Sequence, residues 1–276
     1  MGFTMSRRSL VSLLLPLLPS VGLLILFSYL AETAHGQVAY SKQATISETG
    51  GIVRLTANDS RPLEQALTAL QQKYGWLVDY EDPQYTSKLD LVDAKPLQDK
   101  SFYPNGEHRV PGGGSFIADL GAVSTAGPDE QKTLQLLIDS YNRSSNPGRF
   151  ELRPDKDRPG VFDVVGIAAH DSQGHVSQQQ LLLDLPVTIT AEQRTVSDTI
   201  DLICQKVAEK SEVKVTLGVY PLGLDHANVT VGGKELAARA YLSHAFESTG
   251  RKLVWRLLYD PDSNAYFLNL HQVRLP

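Results

Sequence analysis

Few side chains of this chain have the type and spacing that chemistry requires. His170 and His175 flank a short turn, but two ligands at a flexible spacing, with no third nearby, favour solvated histidines over a metal site. His226 and His244 belong to no metal-binding motif of the His-Glu-x-x-His kind. The histidines therefore predict no metal centre.

Acidic pairs occur at two predicted hairpin tips. Asp155 with Asp157 and Asp260 with Asp262 could bind calcium weakly. Aspartate is also favoured in turns because its side chain bonds to nearby backbone N–H groups. We therefore expect these pairs to shape turns.

The remaining nucleophiles lack companions. Cys204 lies on the apolar side of a predicted helix and is expected to be a buried small hydrophobe. Ser115 follows Gly112–Gly114, which precedes an apolar strand and so predicts a hinge, not a phosphate-binding loop. Neither a Gly-x-Ser-x-Gly elbow nor a dinucleotide fingerprint is present. The sequence thus predicts no catalytic, cofactor-binding or metal-binding residue, and we expect a protein without enzymatic activity.

Composition and the amino terminus indicate the compartment. The chain has 276 residues and a formal net charge of −5 without a basic run, which disfavours nucleic-acid binding. Residues 1–36 have a positive start, an apolar run at Leu10–Leu30 and small residues before Gln37, as in a signal peptide; an uncleaved membrane anchor is the alternative. A single cysteine rules out an internal disulfide. We expect a periplasmic or secreted bacterial protein.

Four amphipathic helices, each followed by a β-rich segment, organise the rest of the chain. Apolar residues recur at helical spacing, and breaks such as Gly75 and Gly250 follow. Residues 37–50 read as a linker and residues 81–115 as an irregular insert. Gly232-Gly233 is expected to turn into the fourth helix, and residues 181–189 to form a strand.

This pattern predicts an α+β fold made of two tandem βαββαββ modules. The first covers residues 51–169 and the second residues 181–276, each with two helices packed on a small, mostly antiparallel sheet. Trp76 and Trp255 are expected to fill the two cores, whereas Tyr80, Tyr85, Phe102 and Tyr103 could be core or surface. The alternative is one larger α+β domain in which the halves share a core.

Particular segments of both halves resemble a known family. These segments are Pro62–Leu67 (PLEQAL), Tyr74–Val78 (YGWLV) and Ser248–Trp255 (STGRKLVW). They are similar to the short amino-terminal domain of secretins and TonB-dependent signalling receptors, the STN or secretin N-domain. The insert at 81–115 is longer than that family's connection, and the third helix lacks the Pro-Leu-x-x-Ala-Leu wording. No barrel, pore or plug domain is recognised after the second copy, so the resemblance implies an accessory protein of a secretion or TonB-type system.

Three functional hypotheses follow. The first is a protein-binding module whose partners are envelope proteins that dock on strand edges or helix faces; a membrane is contacted only through residues 10–30 if the signal is not cleaved. The second is an exported hydrolase or glycan-active enzyme with residues 81–115 as a lid. Two convergent carboxylates there, or His108 with a carboxylate, would support it. The third is a ring-forming structural subunit.

Overall fold

The computed structural model describes residues 43–49, 52–94, 108–122 and 128–274. All of them lie within one compact unit, Tyr40–Pro276. The predicted signal peptide at residues 1–36 lies outside the described residues, as do Phe102 and Tyr103. Of the helices in this described part, none combines the length and the apolarity that a membrane crossing requires.

The described residues contain helices and strands in alternation. The helices are α1 (Pro62–Tyr74), α2 (Glu130–Asn142), α3 (Val196–Ser211) and α4 (Ala238–Thr249). The strands of the first half are β1 (Thr45–Thr49), β2 (Ile52–Asn58), β3 (Leu77–Glu81), β4 (Leu91–Asp93), β5 (Arg109–Pro111), β6 (Ser115–Ala122), β7 (Arg149–Pro154), β8 (Val161–His170) and β9 (Val176–Gln178). Those of the second half are β10 (Pro186–Thr195), β11 (Lys214–Leu217), β12 (Asn228–Ala237), β13 (Leu253–Asp260) and β14 (Ala265–Gln272).

The predicted α+β class is confirmed. Apart from β1, the β4–β5 hairpin and β9, the first half runs β2-α1-β3-β6-α2-β7-β8, and the second runs β10-α3-β11-β12-α4-β13-β14. The two halves therefore follow the same βαββαββ order. Among the described residues, most strand pairings are antiparallel, and three are parallel: β11 with β14, β13 with β3, and β3 with β8.

Local sequence explains the helices. The predicted stripe of α1 is fully buried, and Gly75 ends that helix in the left-handed conformation at φ 72°. Asp129 caps α2 by accepting from the Lys132 N–H. Thr195 caps α3 in the same way through the Asp198 N–H at 3.1 Å. These caps fix where the helices begin, and so set the register of the strands next to them.

Several predicted boundaries are wrong. The predicted linker, residues 37–50, includes β1, which pairs antiparallel with β2 along its whole length. The segment 181–189 begins with a single 3-10 turn, and its strand β10 starts at Pro186 and continues to Thr195. Gly232 and Gly233 lie inside β12 and do not form the turn before α4. In the insert 81–115, β4 and β5 form a short antiparallel hairpin on either side of residues outside the described part.

One large sheet joins the two halves. Its strand order is β11-β14-β13-β3-β8-β7, and β9 pairs with β8. The join is the parallel pairing of β13 with β3, in which Arg256 lies opposite Tyr80 and Leu257 opposite Glu81. A strand of the second half is therefore an internal strand of a sheet shared with the first.

Two cores lie on opposite faces of this sheet. One contains α1, α2 and residues such as Val78 and Tyr80; the other contains α3, α4 and residues such as Trp255 and Leu257. Tyr80 and Leu257 are in adjacent residue pairs of the β3–β13 ladder, and adjacent residues of a strand point to opposite faces. The expectation that Trp76 and Trp255 are core residues is confirmed, with exposures of 9% and 1%.

Candidate functional site: a charged junction and an apolar groove

Three carboxylates in and just after β3 define the junction between the halves. Asp79, Glu81 and Asp82 are at most 2% exposed. A buried carboxylate is costly unless it is paired and hydrogen-bonded. Each of the three accepts hydrogen bonds from an arginine and from backbone N–H groups, and these bonds connect distant parts of the chain.

Asp79 bonds the two halves directly. Its Oδ1 accepts from the Trp255 N–H of β13 at 2.8 Å, and its Oδ2 accepts from the Arg158 guanidinium. Arg158 also donates to Asp155 at 2.7 Å and to the Leu253 carbonyl at 3.2 Å. Burial raises the pKa of Asp79 in spite of these donors, whereas the two carboxylates keep the pKa of Arg158 above its ordinary value against the opposing effect of burial.

Glu81 is held by the second half alone. It accepts from the Leu182 N–H at 2.8 Å and from Arg239 of α4 at 2.9 Å. Arg239 also donates to Asp163 at 2.8 Å and to Asp184. One α4 side chain thus meets three carboxylates, two of them on the large sheet.

Asp82 completes the row on the other side of β3. It accepts from Arg61 at 2.7 Å, from the Tyr259 N–H at 3.0 Å and from the Tyr80 hydroxyl at 2.8 Å. The Leu257 carbonyl in turn accepts from the Asp82 N–H. Side chains therefore extend the short β3–β13 pairing in both directions, which fixes the relative position of the halves.

Acidic groups outnumber the arginines at this junction. Carboxylate oxygens of Asp79, Asp155 and Asp163 lie within 4.8 Å of one another, a spacing that a cation could bridge. Arg158 already donates to Asp79 and Asp155, so a guanidinium supplies the positive charge there. Asp163 Oδ1 has no hydrogen-bond partner among the described residues, and burial raises the pKa of Asp163 to about 7. The geometry favours a protonated Asp163 over a bound metal.

An apolar groove lies on the face of the second half opposite its helices. Its cavity is about 380 Å³. Its apolar lining consists of Val110, Pro111, Val219, Leu258, Pro261 and Phe267, and its polar rim includes Arg61, His108, Arg109 and Asn269. The Asn269 Oδ1 accepts from the Val219 N–H at 2.8 Å, which holds the loop after β11 against β14. Cavities of this size and lining are typical binding sites.

The loop beside the groove exposes apolar side chains. Leu222 is 94% exposed and Val219 is 71% exposed. Single exposed apolar residues are ordinary, but Val219 lines the groove, and Leu222 lies three residues further along the same loop. This surface, named here the groove face, consists of the groove lining and the loop residues Val219 and Leu222.

A second, larger cleft is polar. Its volume is about 510 Å³, and it is lined by the outer side of α1 together with Arg256, His271 and Arg274. Arg256 at its floor is 2% exposed and already donates to Glu64, Gln71 and two backbone carbonyls. The Arg256 guanidinium at the floor of this cleft is therefore already hydrogen-bonded within the fold.

The predicted candidate residues are dispersed. His170 pairs with Asp90 at 2.7 Å and does not meet His175, which is exposed. Cys204 is 1% exposed, and burial raises the pKa of its thiol to about 12, as expected of a core residue. Ser115 is exposed at the start of β6.

The acidic pairs have different environments. Asp155 bonds Arg158 and Ser243 inside the junction, whereas Asp262 is at the groove rim. There it accepts from the backbone N–H of Arg109 at 3.0 Å and lies 2.7 Å from His108 Nδ1. His108 is thus paired with a carboxylate, one of the two arrangements named for the enzyme hypothesis.

Sequence reasoning missed the junction. The run Leu77–Asp82 (LVDYED) has a carboxylate on both faces of a strand, a pattern that by itself favours an exposed polar strand over a buried one. The partners Arg158 and Arg239 lie 79 and 158 residues after Asp79 and Glu81, so spacing alone gave no sign of them. The previously undecided Tyr80 and Tyr85 are core residues, at most 2% exposed.

Comparison with family models, with curated proteins and with solved structures found no match to this chain.

Proposed function

We propose that this chain is an exported protein of the bacterial envelope that binds another envelope protein through the groove face. One observation carries the proposal: Val219, which is 71% exposed, lines an apolar groove of about 380 Å³, and the same loop exposes Leu222 at 94%. Exposure of contiguous apolar surface costs free energy in water, and burial against a partner recovers it. The signal-like residues 1–36 and the resemblance to secretin N-domains support an accessory role in a secretion or TonB-type system.

The charged junction supports the same role. Buried ion pairs contribute little net stability, but an arrangement that separates the partners leaves an uncompensated buried charge and is therefore disfavoured. Here they link β3, α4 and β13 in one geometry. The groove face, which residues from both halves line, is therefore presented as a preformed surface, which lowers the entropic cost of binding.

Site-specific photocrosslinking in the native envelope tests this proposal. A photoreactive phenylalanine analogue replaces Leu222 in one strain and Val176, another exposed apolar residue on β9, in a control strain. The expected result is one discrete crosslinked partner from position 222, identified by mass spectrometry and absent from position 176. The identified protein is then purified, and its affinity for the Leu222→Ser protein should be at least tenfold weaker. A position 222 that yields no crosslink, or an affinity unchanged by Leu222→Ser, contradicts the proposal.

The hydrolase alternative has one specific observation in its favour. His108 Nδ1 lies 2.7 Å from Asp262 at the groove rim, and a carboxylate in this relation can orient a histidine base. Asp262 also anchors Arg109 through the backbone N–H and Nε, which gives the pair a structural use. A hydrolytic activity on peptidoglycan or ester substrates that the His108→Gln substitution abolishes, with unchanged thermal stability, would establish the alternative.

A further inference from the structure

The two halves can be aligned residue by residue. Gly75 and Glu212 both end a helix in the left-handed conformation, and the strands that follow begin two residues later at Leu77 and Lys214. Each of these strands then pairs in parallel with the last long strand of its half. β11 is therefore the equivalent of β3, and β14 of β8.

The equivalent edges differ in what covers them. The outer edge of β3 is paired in parallel with β13, whereas β11 is the last strand of the sheet order and, within the described part of the chain, pairs with β14 alone. The Gly218 N–H donates to the Leu268 carbonyl. By the alternation of parallel ladders, the N–H and C=O groups of Val215 and Leu217 then point away from β14. The β11 edge thus presents a short row of backbone N–H and C=O groups, arranged like the groups of β3 that pair with β13.

The faces next to these edges also differ, in chemistry. The acidic positions of the first half and their equivalents in the second half are Asp79 and Thr216, Glu81 and Gly218, and Asp163 and Phe267. In the first half, Arg239 of α4 pairs with Glu81 and Asp163, and Arg158 pairs with Asp79. In the second half the same face carries no charge at these positions, and two of them, Gly218 and Phe267, line the groove. A partner that covers this face of the second half therefore needs apolar side chains at the positions where α4 and its neighbours place arginines over the first half.

A second copy of this chain is a poor occupant. The equivalent of β13 in the first half is β7, which would have to pair with β11 of another copy. The Asn142 side chain bonds both the N–H and the C=O of Phe150, at 2.9 and 2.8 Å, so these groups point away from β8 and are already satisfied. Pro154 faces the same way by alternation and has no N–H. A strand that approached the outer edge of β7 would therefore meet the Asn142 side chain at one end and Pro154, which has no N–H to donate, at the other.

From these observations we propose that the β11 edge binds an extended, apolar strand of a different protein, aligned parallel to β11, with alternate side chains on the same face of the sheet as the groove. This inference rests on the proposed function and specifies how its partner is held. Main-chain hydrogen bonds to Val215 and Leu217 supply the alignment, and the uncharged face at Thr216, Gly218 and Val219 supplies the selectivity for apolar residues.

A peptide probe tests this mode of binding. The probe is the β13 sequence Leu253–Tyr259 with two lysines added at each end, and it is titrated into the purified protein by amide NMR. In the alignment that β13 has on β3, the tryptophan and second leucine of its Leu-Val-Trp-Arg-Leu-Leu-Tyr core face the groove. We expect amide shifts concentrated in β11 and residues 218–222. A nitroxide at the amino terminus of the probe should broaden Lys214, and one at its carboxyl terminus should broaden Val219.

Matched substitutions make the test decisive. Thr216→Arg places a charged side chain on the same face as its register partner Phe267, where the probe would lie, and should weaken binding of the probe at least tenfold, whereas Thr230→Arg, at an exposed threonine of β12, should not. If Thr216→Arg fails to fold, Val219→Arg in the exposed loop provides the same test without altering the sheet. It should weaken binding of the probe to the same extent. Shifts concentrated outside residues 214–222, a reversed pattern of broadening, or equal affinities for the three variants and wild type would overturn the inference.

Two further outcomes separate this inference from the proposed function. A probe that binds β11 while position 222 captures no envelope protein would retain the strand-binding edge and refute the envelope function. A captured partner whose binding leaves the β11 amide signals unchanged would support the envelope function and refute the strand-binding edge. Self-association of the purified protein that Thr216→Arg abolishes would show that a second copy is the occupant, and would overturn the assignment to a different protein.

Discussion

Substitution of Asp163 by asparagine tests whether the junction between the halves contains more carboxylates than its arginines can neutralise. Asp163 is 4% exposed, its Oδ2 accepts from Arg239, and its Oδ1 has no partner among the described residues. An asparagine keeps an oxygen for Arg239 and places an amide N–H₂ where Asp79 and Asp155 can accept. We expect Asp163→Asn to raise the free energy of unfolding at pH 8.

The size and sign of the effect follow from the pKa. Burial first, and then the neighbouring Asp79, raise the pKa of Asp163 from 3.8 to about 7 in the folded protein. Because the folded state holds the proton more tightly, the stabilisation is fully present below pH 4 and is lost as the pH rises through 7. The interval between the two pKa values corresponds to roughly 4 kcal/mol at most. The asparagine variant does not titrate there, so it should be more stable than wild type at pH 8 by about 1–4 kcal/mol.

Urea unfolding at pH 5 and pH 8, followed by tryptophan fluorescence, measures both quantities. Asp119→Asn is the control, because Asp119 pairs with Arg54 at the surface and its pKa is lowered, not raised. This control should lose a little stability at both pH values. An Asp163→Asn protein that is less stable than wild type at pH 8, or that keeps the wild-type change between pH 5 and pH 8, would refute the reasoning.

Three further substitutions or probes test other parts of the structure. Arg239→Met leaves the buried Glu81 without its guanidinium and should cost about 3–5 kcal/mol in urea unfolding, whereas Arg54→Met at the exposed pair should change little. Gly113→Ala brings a Cβ to 2.4 Å from the Ser60 carbonyl oxygen and should lower stability by about 1–3 kcal/mol, whereas Gly114→Ala meets nothing within 4 Å and should be neutral; equal thermal midpoints would contradict this packing. Cys204 should resist maleimide until the protein unfolds, because its thiol is 1% exposed and has a raised pKa; rapid labelling of the native protein would show that α3 is packed differently.

Local signals in the sequence were sufficient for the helices. The apolar stripe of α1, the Thr195–Asp198 cap of α3 and the glycines that end α1 and α4 all act within a few residues. The α+β class and the βαββαββ order follow from the same local signals. The limits of β10 and β12 did not, because bulges extend these strands past the residues that usually end them.

The large sheet and its charged junction depend on contacts that the sequence does not encode locally. β3 and β13 are about 175 residues apart, and only two residue pairs join them directly. Asp79, Glu81 and Asp82 alone predict a polar edge, and it is the arrival of Arg158, Arg239 and Arg61 that makes their burial possible. The groove face escaped prediction for the same reason, since its groove brings His108–Pro111 together with Gly218 and Val219 from the other half.

Photocrosslinking from position 222 in the native envelope is the most direct test of the central claim, which is that the groove face binds another protein. We expect a single partner that crosslinks from position 222, does not crosslink from position 176, and binds the Leu222→Ser protein at least tenfold more weakly. The absence of any crosslink specific to position 222, in cells where the protein is folded and exported, would contradict it.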